Sequence, residues 1–247
     1  MIYLLLIIVG VFAGFINVMA GGGSLLTLPM LILMGLPSQV ANGTNRLAIL
    51  IETTVGMNNF KNKGYFELKK GIYFALPAVF GAILGSNIAI NLSENVFNKL
   101  VAIVLVIMLF IIIYQPHKKI KTLESIGNNN IFIGSVLFFF VGLYGGVIQA
   151  GVGFLIITVL SFITNYKLVK INSLKILIVL IYTIPAFLIF AKSGNVDYIK
   201  GFVLAIGNST GAYLGSNLQI KKGDKIVKIF LTVVIVFMVF KLLGLFS

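Results

Sequence analysis

The sequence predicts an all-α polytopic integral membrane protein made of two inverted-topology repeats of about five hydrophobic segments each, with Gly-broken or re-entrant helices. Three observations carry this: scarce charge, long apolar runs, and self-similarity at one fixed shift. Of 247 residues, 59% are hydrophobic and 10% charged, whereas a soluble domain carries about 25% charged residues. Apolar runs fall at about 2–20, 24–35, 40–60, 70–91 and 95–114, then at about 131–149, 153–164, 170–191, 198–219 and 226–246. Most hold about 20 residues, enough for a hydrocarbon core of roughly 30 Å at 1.5 Å per residue.

Two runs are shorter. Stretches 24–35 and 153–164 each follow a glycine-rich break, Gly21-Gly22-Gly23 and Gly151-Val152-Gly153. They read as half-helices that dip in and return, or as short spans. The first 20 residues offer Val18-Met19-Ala20 as a small-x-small site but carry no basic leading region, so they read as a retained segment.

A shift of 130 places Gly81-Ala82-Ile83-Leu84-Gly85-Ser86-Asn87 on Gly211-Ala212-Tyr213-Leu214-Gly215-Ser216-Asn217, and Ala20-Gly21-x-Gly23 on Ala150-Gly151-x-Gly153. Small residues four apart let helix backbones approach closely in lipid. The constant shift marks an internal duplication, divided as a first repeat 1–114, a polar loop 115–130 and a second repeat 131–247. Lysines cluster at 61–70, 118–121, 167–175 and 221–228, while joints 36–39 and 92–95 hold none. With an odd number of segments per repeat, the positive-inside rule puts the lysine clusters in the cytoplasm and both termini outside the cell membrane.

Composition excludes several classes. The net charge of +13 resides in these clusters, with no basic helix face for nucleic acid. There is no cysteine and one histidine, His117, in a polar stretch, so no metal centre, thiol chemistry or cofactor is expected. No enzyme signature is present.

Inverted repeats with broken helices place a transporter's site near the midplane, where half-helix N-termini face one another. The expected substrate-binding groups are therefore Gly21, Gly22, Gly23, Ser24, Gln149, Gly151 and Gly153, with helices starting at Ser24 or Phe154 and their positive ends favouring an anion. The alternative is that these glycines only permit tight crossing. A second constellation, Gly43-Thr44-Asn45-Arg46, has its counterpart one residue out of step in Asn172-Ser173-Leu174-Lys175. A cation inside a span costs on the order of 3 kcal/mol and is usually paired, hydrated or functional. Thr44, Asn45, Arg46, Ser173 and Lys175 are thus further donors, with Arg46 and Lys175 approaching one volume from opposite faces. Lys175 also lies near a basic joint, where it would snorkel to the interface. Glu52, six residues from Arg46, does not face it on a helix; it is the candidate proton carrier. Asn17, Gln149, Asn58 and Asn59 read as helix glue or as ligands.

The glycine break Gly21-Gly22-Gly23, the following Pro29, then Gly35-Leu36-Pro37, Gly43-Thr44-Asn45 and the repeated Gly-Ala-x-Leu-Gly-Ser together resemble the sulfite exporter TauE/SafE family of membrane permeases, over essentially the whole chain. The resemblance implies passage of sulfite, sulfonates or related organic anions across the cytoplasmic membrane, often as efflux. The second repeat departs from the pattern at Val152 and at Asn172-Ser173. The expected partners are a small anionic solute and the lipid bilayer; the apolar surface permits a homodimer without requiring one. The competing reading is a membrane component that binds a partner protein and moves nothing, with cation transport a third.

Overall fold

The computed structural model describes residues 2–114 and 129–222. Most of the polar loop, with His117, and the last apolar run at 226–246 lie outside the described residues. Nine helices form the described chain: α1 Ile2–Ala20, α2 Ser24–Leu33, α3 Ser38–Asn62, α4 Leu68–Asn91, α5 Glu94–Tyr114, α6 Asn129–Val147, α7 Val152–Ile163, α8 Leu168–Lys192 and α9 Tyr198–Lys222. Among the described residues, α1, α4 and α8 are long and apolar enough to cross a membrane by length and composition. Large apolar side chains such as Phe12, Phe80, Phe132, Ile199 and Phe202 point outward, as expected where the surroundings are lipid.

The most extensive helix pairings, α1 with α9, α4 with α6, α3 with α9 and α4 with α8, all join one repeat to the other. Close packing at the repeated glycines builds two of these seams. A Cβ on Gly81 would strike the carbonyl of Phe139, and one on Gly211 that of Val11; Gly85 sits against Leu143 and Gly215 against Phe15. α4 thus meets α6 as α9 meets α1, with α1 and α6 matched at a shift of 128. Gly81, Gly85, Gly211 and Gly215 are therefore packing glycines.

Cross-contacts sort the joints into two faces. On the first, Gln39 donates to the carbonyls of Ala89 and Leu92 at 2.9 and 2.7 Å, and the Asp197 amide donates to Thr44 Oγ1 at 2.8 Å. On the second, Lys170 pairs with Glu67 and Gln219 Nε2 donates to the Leu168 carbonyl at 3.4 Å. α3 therefore runs from the first face to the second, and its counterpart α8 runs the other way. Lysines 61, 63, 69, 70, 167, 170, 221 and 222 gather at the second face, as the charge pattern anticipates.

The same register resolves the short segments. Gly10, Gly14 and Gly211 bring α1 alongside α9 in parallel, so α1 starts at the first face. α2, about 15 Å long at 1.5 Å per residue, brings the chain back there for α3. α6 lies parallel to α4 and starts at the second face, and α7 returns to it. Each short segment is the return arm of a helical hairpin, too short to cross alone.

Candidate functional site

The two hairpin breaks meet backbone to backbone. Gly21 and Gly151, equivalent in the repeat, take left-handed φ of 88° and 73°, a conformation that glycine adopts without steric cost. The other glycines serve a different need. Gly153 packs on the backbone of Gly21, Gly22 on the Phe154 ring and Gly23 on the Ala13 carbonyl. In the second break α7 begins at Val152, directly after the left-handed Gly151, two residues ahead of the Phe154 start read from the sequence. α2 begins at Ser24, as expected.

Between the breaks lies a small cavity lined by Asn17, Ser24, Ile49, Thr53, Gln149, Val152, Gly153, Lys175, Ile176 and Val179. It leaves about 10 Å³ to the centre of a water-sized sphere, room for about one water molecule. In the first turns the Leu25, Leu26 and Phe154 amides bond back to the Gly22, Gly23 and Gly151 carbonyls. Ser24 and Gly153 put both helix starts, with their positive dipole ends, on the cavity wall. Gln149 donates to Thr183 Oγ1 at 2.8 Å, while its own Oε1 is buried without a partner.

The two intramembrane cations serve the opposite helix ends. Arg46, fully buried, donates from Nη2 to the Gly146 carbonyl at 2.6 Å, in the last turn of α6. Lys175 donates to the carbonyls of Asn17 and Val18 at 2.7 and 2.8 Å, in the last turn of α1. Beside them, Asn42 bonds the Val147 carbonyl at 2.9 Å and Asn172 that of Met19 at 3.0 Å. Each repeat thus supplies an asparagine and a cation to the C-terminal carbonyls of the other repeat's broken helix, groups that the helix itself leaves unpaired. This explains the one-residue slip between Arg46 and Lys175: the carbonyl each meets is equivalent, although the positions along α3 and α8 are not.

The sequence places both cations in one volume. The geometry brings Lys175 to the cavity wall and leaves Arg46 outside it, stacked over Phe190 at 4.6 Å, with Nε and Nη1 unpaired. Lys175 is 2% exposed, which settles its alternative of snorkelling to the interface. Thr44 is taken up by Asp197. Asn45 accepts from Thr27 at 2.6 Å and donates to Ser24 Oγ at 3.2 Å, orienting the first turn of α2. Ser173 is buried, its hydroxyl without a partner, and outside the cavity. Asn59 donates to Ser216 at 2.6 Å and acts as helix glue.

Glu52 is 1% exposed and accepts from Asn17 Nδ2 at 2.7 Å and Asn208 Nδ2 at 2.8 Å. Among the described residues it has no cation within 4.0 Å, in line with the spacing argument against an Arg46 pair. Asn208 went unseen in the sequence, where an asparagine three residues before the Gly-Ala-x-Leu-Gly motif carries no distinguishing pattern. Thr53 and Asn42 were missed too, although an asparagine recurring at 42 and 172 under the shift of 130 was an available signal.

A buried cavity with five polar side chains on an otherwise apolar wall, set between two inverted helical hairpins with apolar outward faces, is an arrangement suited to a membrane transporter. The chain belongs to the sulfite exporter TauE/SafE family, whose model matches residues 6–242. It is 26% identical to a probable membrane transporter protein of Sinorhizobium sp, over 94% of this chain and 88% of that one. It is also 26% identical to a Haemophilus influenzae probable membrane transporter protein, over 91% and 88%, and to the Escherichia coli K12 probable membrane transporter protein YfcA, over 96% and 88%. No solved structure matches the chain.

Proposed function

We propose that the protein moves a small oxyanion, such as sulfite, a sulfonate or a related organic anion, through the cavity between the two breaks. The observation that carries this reading is the convergence of the α2 and α7 N-termini with the Lys175 ammonium on one small buried cavity. Two of the ammonium's three N–H donors are spent on carbonyls, leaving one for a ligand. Ser24 adds a hydroxyl donor and Asn17 an amide N–H beyond the one given to Glu52, whereas the Thr53 hydroxyl is spent on the Ile49 carbonyl at 2.6 Å.

Such a donor set selects for negative charge, and the family's name points to the same chemistry. With room for a single water, the conformation is closed; passage requires the two repeats to move relative to each other around the site, the alternating access of inverted-repeat carriers. Arg46, with two unpaired buried N–H groups, is a donor available once the cavity widens. Glu52 carries the coupling proton. The repeats divide at 1–114 and 131–247, and the lysine-rich face is cytoplasmic, which puts the N-terminus of the cell-membrane protein outside. Outward movement is the direction the family name favours.

The test is flux of sulfite and of sulfonates in proteoliposomes under an imposed proton gradient, for wild type, Lys175→Gln and Arg46→Ala. Flux in wild type that falls about tenfold in Lys175→Gln supports the reading. Absence of flux for every anion tried would overturn it and favour a membrane component that binds a partner.

A further inference from the structure

The two repeats share the packing contacts described above, which makes a chemical difference at one of these interfaces informative. The shifts fixed by the glycine seams place Asn17 opposite Gly145, Glu52 opposite Tyr182 and Asn208 opposite Ala78. In the second repeat a phenol fills the space: a Cβ on Gly145 would lie 3.0 Å from the Tyr182 hydroxyl. The fold therefore closes this interface without a carboxylate. At the matching interface Glu52 of the first repeat is instead a buried acid between two amides, Asn17 of α1 and Asn208 of α9 in the second repeat.

We propose that Asn208 is a positioning residue that lets Glu52 exist in either protonation state while buried, so that Asn17, Glu52 and Asn208 form a proton site, built across the two repeats, that the equivalent positions Gly145, Tyr182 and Ala78 do not reproduce. This rests on the reading of Glu52 as the proton carrier and adds the residue that makes it reversible. As a carboxylate, Glu52 is acceptor-only, and both amides donate to it as observed. As a carboxylic acid it carries one O–H donor. Asn208 supplies the acceptor: its Oδ1 is buried without a partner, in a residue 2% exposed. A half-turn of the amide replaces N–H···O⁻ with O=C···H–O, so neither state leaves the carboxyl group unmatched. An arginine or lysine partner, donor-only, would match the charged state alone.

Asn17 links this site to the cavity. It is half-buried on the cavity wall. Its side chain bonds Glu52 and its carbonyl accepts Lys175. Among the described residues the charged side chain facing the carboxyl group is Lys175 of α8; α1 and α9 present the two neutral amides. The proton comes from water reaching the cavity, adds to a Glu52 oxygen and leaves the same way. One such site among the described residues predicts one proton per transport cycle.

The test uses infrared difference spectroscopy on the full chain in lipid, titrating the protonated-carboxyl band that disappears in Glu52→Gln. Asn208→Thr keeps a donor and an acceptor, whereas its near-isostere Asn208→Val keeps neither. The Val variant should raise the titration midpoint by about one pH unit, because the bond to the carboxylate is the stronger of the two lost. It should also move the protonated-carboxyl band to higher frequency, because the acid has lost its acceptor. The Thr variant should hold both nearly unchanged. Asn208→Ala provides a second loss variant if the Val protein does not fold. An unchanged midpoint in the loss variants, or no Glu52 band titrating in wild type, overturns the proposal. Because the readout needs no substrate, a failure of anion flux would sink the transport reading without touching this one.

Discussion

Arg46 and Gly146 are a hundred positions apart in sequence and 2.6 Å apart in space, guanidinium to carbonyl. The contact makes a first-repeat cation the cap of a second-repeat helix. Arg46→Ala should leave that carbonyl with only the weaker 3.3 Å bond from Ser86, and should cost about 3 kcal/mol, read as a fall in detergent melting temperature. Arg46→Lys should recover most of the loss, since Lys175 does the same task in the mirror position.

Lys175→Gln separates capping from charge. An amide still donates to a carbonyl of Asn17 or Val18, so melting should change little. Anion flux should fall about tenfold or more, since a tenfold change is about 1.4 kcal/mol. Equal flux in the variant would remove the ammonium from the site.

At Gly21 and Gly35 the left-handed φ is nearly the same, 88° and 86°, but Gly35 has open space where Gly21 meets the backbone of Gly153. Gly35→Ala should therefore cost only the conformational strain, about 1–2 kcal/mol. Gly21→Ala adds a backbone collision and should cost several kcal/mol or prevent folding. Melting curves of the two variants check the difference.

Glu67 sits on the lysine-rich face. Partial burial pushes its pKa up, but hydrogen bonds from Lys170 and Tyr166 and the charges of Lys170 and Lys70 outweigh that and hold it below the usual carboxylate range. A lowered folded-state pKa gives stability that is present above the unfolded value, about 4.3. It is lost as pH falls through the folded value. Wild type should thus exceed Glu67→Gln by up to about 1 kcal/mol at neutral pH, the group being part exposed. The gap should close below about pH 4.

Much of the fold was legible because lipid imposes strict length and charge rules. The apolar runs, both glycine breaks, the inversion and the lysine asymmetry all follow from them. The candidate site was legible only in part. Ser24, Gln149, Gly153 and Lys175 were readable as residues beside a break or as a cation in a span. That Arg46 would meet a carbonyl and not the cavity depends on which helix end lies opposite it, which periodicity does not encode. Asn208 was invisible for the same reason: its importance comes from Glu52, 156 residues away in sequence.

The crossing of α1 onto α9 and α6 onto α4 has a consequence for how the chain is made. Leaving the ribosome, α1 cannot find its main partner until α9 has been inserted nearly two hundred residues later. Its glycine-lined stripe must wait in lipid meanwhile, so the first half is an unfinished object and not an independent folding unit. Two separately encoded halves should accumulate only when produced together, each acting as the other's chaperone. A gene duplication that began with a half of this kind must have begun with two copies interlocking.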